Sequence, residues 1–147
     1  SIYRDTSCLF FRGFIDLIIS HFFSDRPDGV TVINDAYNAN PTSMNAAIDN
    51  FNLIEETGKM VILGDMKELG AISEIEHQKI IDKLENSNIE KVIVVGSEFK
   101  KTKSNHTIKL ENINELITYL DNEIIKNNLI LIKGSNSMKL IECINHL

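Results

Sequence analysis

Asp35, Asn38 and Asn40 crowd into six positions of the run Asp35-Ala36-Tyr37-Asn38-Ala39-Asn40-Pro41-Thr42-Ser43-Met44. That density of polar groups exceeds what a turn requires. The chemistry it suits is recognition: Asp35 can accept hydrogen bonds from a pair of sugar hydroxyls. Two later turns carry groups of the same kind. In Gly64-Asp65-Met66-Lys67-Glu68-Leu69-Gly70, Asp65 and Glu68 suit an ammonium group. In Lys133-Gly134-Ser135-Asn136-Ser137-Met138, Lys133 offers a point charge to a carboxylate or phosphate, and Ser135 adds a hydroxyl beside a helix N-terminus. Each residue also has an ordinary structural role. Asn40 and Pro41 read as the N-cap and first residue of a helix, Asp65 as a turn former, Ser135 as an N-cap and Lys133 as a solvated strand-end charge. None reads as a catalytic group.

These turns need a scaffold that brings them together. The chain alternates strands and helices from Val30 onward. Val30–Asn34 reads as a strand, and Ser43–Glu56 as a helix with Met44, Ala47, Ile48 and Phe51 on its apolar face, stopped by Gly58. Met60–Leu63, Lys91–Val95 and Leu129–Ile132 are continuous apolar runs, as expected of strands covered on both faces. Ser73 to Glu85 reads as a helix opened by a capping box of Ser73 and Glu76. Thr107–Leu110 reads as a short edge strand, Ile113 to Ile125 as a helix with Leu116, Ile117, Leu120 and Ile124 in register, and the residues after Met138 as a last helix to Leu147. The predicted fold class is α/β: an open, mostly parallel sheet with right-handed crossovers and helices on both faces. In such a sheet every strand-to-helix turn emerges on one edge, so the three polar turns share a rim.

Composition narrows the function. The 147 residues are 43% hydrophobic and 24% charged, as in a soluble globular domain. A net charge of −6 argues against nucleic acid as the main partner. Cys8 and Cys143 lie at opposite ends of the chain, outside any CxxC, and read as reduced thiols of a cytoplasmic protein. His21, His77, His106 and His146 are scattered, so no metal site is expected. No dinucleotide fingerprint and no P-loop occurs, so these residues do not cradle a nucleoside triphosphate in the P-loop manner. Residues 1–27 stand apart as an atypical apolar segment. Leu9 to Phe23 is apolar but interrupted by Arg12 and Asp16, too short to span a bilayer comfortably. It reads as a packing helix or as a foreign start joined to a domain of residues 28–147.

Three runs together are distinctive: Asp35 to Met44, then Leu63 to Gly70 with His77 beyond it, then Lys133 to Met138. They closely resemble the C-terminal domain of the Mur ligase family of peptidoglycan synthesis. Tyr37-Asn38-Ala39-Asn40-Pro41 sets the resemblance in the branch that adds D-alanyl-D-alanine to a UDP-N-acetylmuramoyl tripeptide. The resemblance covers about residues 28–147. It implies a Rossmann-like domain that closes over ATP and presents the incoming amino component. It also implies two partner domains in the same enzyme: an N-terminal UDP-sugar domain, and a central ATPase domain with the P-loop and Mg2+. By resemblance Asp35, Tyr37 and Asn38 bind nucleotide, Asp35 through the ribose. Asn40, Asp65, Lys133 and Ser135 bind substrate, with Lys133 and Ser135 near the dipeptide's carboxylate and Asp65 near its ammonium. The implied contributions are positioning and charge stabilisation. No turnover, and no cofactor bound alone, is expected of these residues without the central domain.

Two readings from other classes compete. A receiver-like signalling module would use an Asp after the first strand and a Lys after the last. It needs an Asp ending the third strand, where Val95 is followed by Gly96-Ser97, and it leaves the Asn38–Pro41 turn unexplained. A non-catalytic interaction domain would dock a partner through residues 1–27.

Overall fold

The computed structural model describes residues 23–25 and 29–147. The remaining readings of residues 1–27 lie outside the described residues. Six strands form one sheet in the order β1-β2-β6-β3-β4-β5. They are β1 (Phe23–Asp25), β2 (Thr31–Asp35), β3 (Lys59–Gly64), β4 (Lys91–Val95), β5 (Ile108–Leu110) and β6 (Leu129–Lys133). β2, β6, β3, β4 and β5 pair in parallel, and β1 closes the β2 edge antiparallel. The α/β class, the parallel sheet and the edge strand at Ile108–Leu110 agree with the sequence reading. β1 falls within the segment set apart as 1–27.

Strand periodicity divides the core. In β3 every residue is buried. Val61 and Leu63 pack on one side with Met44, Ile48 and Phe51 of α1 (Pro41–Asn52) and Ile80, Ile81 and Leu84 of α2 (Ser73–Glu85). Met60 and Ile62 pack on the other with Leu116 and Leu120 of α4 (Ile113–Asn122), and with Leu140 and Cys143. Successive side chains point to opposite faces, so a continuous apolar run is required where helices cover both. Phe99 of the short helix α3 (Ser97–Lys100) joins the α1 and α2 side.

α1 starts as its sequence demands. The Asn40 side chain accepts from the Ser43 N–H at 2.9 Å, Ser43 Oγ accepts from the Asn40 N–H at 3.1 Å, and Pro41 takes the first turn. Asn40→Ala is expected to cost about 1 kcal/mol and Asn40→Gly only a few tenths, read from urea unfolding midpoints. No loss with Asn40→Ala would mean that the cap bond contributes nothing.

The far end of α1 departs from expectation. The helix stops at Asn52 rather than Glu56. Lys59, only 1% exposed, donates through Nζ to the carbonyls of Phe51, Asn52 and Ile54 at 3.0–3.2 Å. An ammonium thus gathers three carbonyls at and just past the negative end of the helix, two of which also accept a backbone N–H, and burial lowers its pKa. Gly58, expected as the stop, instead takes φ 70° at the entrance to β3.

Other departures have similar causes. The capping box of Ser73 and Glu76 does not form: Ile72 is the N-cap, and the 3-10 turn Gly70–Ile72 runs straight into α2. The Ser73 hydroxyl donates to Glu98 instead, and Glu76 pairs with Lys79 at 2.8 Å. α4 ends at Asn122, leaving Ile124 82% exposed rather than inward. The last helix is two 3-10 segments, Asn136–Met138 and Leu140–His146, broken at Lys139 with φ 55°. That break turns Leu140 over the facing glycines Gly64 and Gly134. Cys143 is fully buried, which pushes its thiol up to about 12. Such a thiol is unreactive.

Candidate functional site

The C-terminal ends of β2, β3 and β6 lie on one rim because these strands are parallel neighbours of β6. Register sets Lys133 beside Asp35 on one flank and Leu63 on the other. The three polar turns then touch. Lys133 Nζ donates to Asp35 Oδ2 at 2.5 Å and to the Asn38 carbonyl at 2.9 Å. The Asn136 N–H donates to the Tyr37 carbonyl at 3.1 Å. Gly64 and Gly134 approach so closely that a Cβ on Gly134 would lie 3.1 Å from Gly64 Cα. The juxtaposition read from sequence therefore exists.

The rim is also where the winding reverses. β2, β3 and β4 lead to α1, α2 and α3 on one side of the sheet, while β5 and β6 lead to α4 and the C-terminal turns on the other. Loops that part in this way open a crevice, the usual ligand position in open α/β sheets.

The candidate side chains differ in availability. Tyr37 is 79% exposed, and Asn38 is exposed beside it. Asp35 is 23% exposed in its side chain, and only its Oδ2 is engaged by Lys133. Lys133 is buried, and its ammonium is spent on Asp35 and Asn38. It therefore orients Asp35 rather than standing as a solvated charge. Asn40 is spent on its cap. Ser135 is buried and shares a 2.9 Å hydroxyl contact with Ser137.

Asp65 is 1% exposed, and its two oxygens accept from the backbone N–H groups of Glu98 and Phe99 at 3.0 and 2.9 Å. It is the anchor of α3. A third strand-end device holds the next residue: the Met66 N–H donates to His77 Nε2 at 3.0 Å, and His77 Nδ1 contacts the Ser73 carbonyl at 2.7 Å. An accepting Nε2 places the ring proton on Nδ1. Ser73 and His77 do not form a nucleophile and base. The Ser73 hydroxyl donates to Glu98 Oε2 at 2.7 Å, and both ring nitrogens are engaged by backbone. Hydrogen bonds from Lys101 and then Ser73 hold the Glu98 carboxyl below its usual range.

Sequence reasoning missed a cleft of about 220 Å³ on the same rim. Asp65, Lys67, Ser97, Asn112, Ser137 and Lys139 line it. They come from the ends of β3 and β4, the N-terminus of α4 and the turn after β6. No local pattern joins four such segments. The turns bearing Asp65, Lys67 and Ser137 are placed on this rim by the sequence; the shares of β4 and α4 are not, although the Asn112 cap, which accepts from the Glu115 N–H at 3.1 Å, has a readable signal. Among the described residues no group of three or more His, Cys, Asp or Glu is arranged to hold a metal, and no helix is long and apolar enough to cross a membrane.

Fold and rim define an open α/β domain with a crevice where the winding reverses, and comparison makes it particular. The family model for the Mur ligase glutamate ligase domain matches residues 21–136, and the chain belongs to that family. It is 35% identical over 131 residues to the UDP-N-acetylmuramoyl-tripeptide–D-alanyl-D-alanine ligase of Bacillus subtilis, a match covering 81% of this chain and 28% of that protein. The ligase of the same name from Rickettsia prowazekii is 33% identical over 120 residues, covering 78% of this chain and 27% of the relative. A crystal structure of MurF from Acinetobacter baumannii superposes with a TM-score of 0.70 at 26% identity, over 84% of this chain and 28% of that one. MurF ligase from Thermotoga maritima, solved in complex with ADP, gives the same TM-score at 24% identity, over 84% of this chain and 29% of that one, and shares the fold. The chain spans about 28% of the length of the Bacillus relative.

Proposed function

We propose that this chain is the C-terminal, substrate-positioning domain of an ATP-dependent ligase that adds D-alanyl-D-alanine to a UDP-N-acetylmuramoyl tripeptide in the cytoplasm. The observation that carries the reading is the convergence of the Tyr37, Asp65 and Lys133 turns at the reversal of the sheet. In this reading Asp35, oriented by Lys133, turns its second oxygen to the ATP ribose, and Tyr37 and Asn38 flank the nucleotide. Asn40, Ser135 and Asp65 build the walls: Asn40 by capping α1, Asp65 by anchoring α3, Ser135 through its contact with Ser137. The D-alanyl-D-alanine lies in the neighbouring cleft, its amine directed at an acyl phosphate formed on the tripeptide. The acyl phosphate, the P-loop and Mg2+ belong to the central domain, with the UDP-sugar bound by the N-terminal domain. This domain's share of the rate is orientation and charge placement.

A chimera tests the assignment. Residues 21–147 replace the corresponding region of the Bacillus relative, and ADP release is followed with UDP-N-acetylmuramoyl tripeptide and D-alanyl-D-alanine. The chimera is expected to turn over with that dipeptide, and Asp35→Asn to raise the KM for ATP about tenfold, the value of one charge-assisted hydrogen bond. A folded chimera without turnover, or a KM for ATP indifferent to Asp35, would count against the reading.

A further inference from the structure

We infer that His77 is a positioning residue that sets the width of the rim cleft, and through that width the KM for the incoming amino component. The identity of that component rests on the function proposed above, whereas the contacts that set the width stand on geometry alone.

His77 is buried and does not itself line the cleft, yet its contacts reach two of the walls. One wall is the turn after β3, which carries Lys67; the other is the turn into α3, which carries Ser97. His77 Nε2 accepts from the Met66 N–H at 3.0 Å, one residue before Lys67. Its Nδ1 donates to the Ser73 carbonyl at 2.7 Å. The Ser73 hydroxyl donates to Glu98 Oε2 at 2.7 Å, one residue beyond Ser97. The Glu98 and Phe99 N–H groups then donate to Asp65 at 3.0 and 2.9 Å. Asp65 precedes Met66, so the contacts close on themselves and tie the two walls together through α2. Phe99 adds an edge-on contact to the His77 ring, with centroids 4.6 Å apart and planes at 84°.

The circuit needs an acceptor toward Met66 and a donor toward Ser73 on one rigid side chain, and neutral imidazole supplies both. Asp65 Oδ1 lies 3.8 Å from Nε2, but that oxygen already accepts from Phe99, and Nε2 turns a lone pair to Met66. Met66 is buried, so losing the acceptor strands a donor away from solvent. Glu68, two residues further on, is left-handed at φ 62°, a conformation held only where the surroundings impose it. Freed at its base, the turn relaxes and moves Lys67 relative to Ser97. A small ligand in a cleft of about 220 Å³ loses affinity when its walls must be ordered on binding. The nucleotide side is held separately: Asp35 and Asn38 are tied to Lys133, and Tyr37 to Asn136. Changes at His77 therefore act on one substrate and spare the other.

The test compares His77→Gln, whose amide reaches the place of Nε2, with His77→Asn, whose amide reaches only that of Nδ1. In the chimera described above, His77→Asn is expected to raise the KM for D-alanyl-D-alanine about tenfold and to leave kcat and the KM for ATP unchanged. His77→Gln is expected to stay near wild type. Ser73→Ala opens the same circuit at its half-buried hydroxyl without emptying the core. It should raise the same KM about threefold, and it carries the test if His77→Asn does not fold. In the 15N-labelled chain, ring spectra should show a proton on Nδ1 and none on Nε2. There His77→Asn, or Ser73→Ala in its place, should shift the amides of both Lys67 and Ser97, and His77→Gln should leave them in place. Equal KM values for the Asn and Gln variants, or a KM for ATP that rises as far as that for the dipeptide, would overturn the inference. So would a proton on Nε2, or shifts confined to one wall. If the chimera does not turn over with the dipeptide, the proposed function falls and the spectra alone decide: shifts at both walls uphold the width-setting role, and their absence removes it.

Discussion

Gly96→Ala is expected to cost the domain about 3–5 kcal/mol, enough to consume much of a small domain's stability. Two independent effects add. Gly96 sits at φ 127° and ψ 160°, a backbone region that side chains rarely adopt. A Cβ built there would lie 2.2–2.4 Å from the three atoms of the Asp65 carboxyl. Because Asp65 is 1% exposed and anchored on two amides, it has nowhere to move without leaving a buried carboxylate and two N–H groups unpaired. Urea unfolding gives the loss, and hydrogen exchange at Glu98 and Phe99 gives the local effect, which should exceed that at β6. A loss below about 1 kcal/mol would mean that the clamp is not formed as drawn.

Asp35→Ala is expected to be more damaging than Lys133→Met, although both break the same ion pair. The reason is unequal burial: the Lys133 side chain is 2% exposed and that of Asp35 is 23% exposed. Removing Asp35 strands a buried ammonium whose remaining partner is the Asn38 carbonyl, at a cost of about 3 kcal/mol. Removing the ammonium leaves a carboxylate that water already reaches, and methionine keeps the apolar stem, so the cost is about 1–2 kcal/mol. In the double variant Asp35→Ala/Lys133→Met no charge is left unpaired, and stability should recover above that of Asp35→Ala alone. A double-mutant cycle in urea measures all three values. Equal single losses, or a double variant worse than both, would refute the asymmetry.

In the proposed function Lys133 is a positioning residue. It holds the β2 turn to the β6 turn, and with the Asn136 bond to Tyr37 it sets the shape of the crevice before any ligand arrives. Preorganisation of this kind reduces the ordering cost of binding.

Local sequence determined the parts whose causes are local. The apolar runs at 60–63, 91–95 and 129–132 read as strands covered on both faces and are strands, and the Asn40-Pro41 pair set the start of α1 through a cap made within three residues. The alternation of strand and helix then dictated parallel pairing and brought the three polar turns to one rim. What tertiary structure decided involves partners far apart in the chain. Asp35 and Lys133 are 98 positions apart, and Asp65 and Phe99 are 34 apart. Whether a lysine faces solvent, caps a helix as Lys59 does, or locks an aspartate as Lys133 does, depends on strand order and register, which no short pattern encodes. The last helix broke for the same reason. Leu140 covers Gly64 and Gly134, contacts made with distant parts of the chain, and Lys139 turns left-handed just before it.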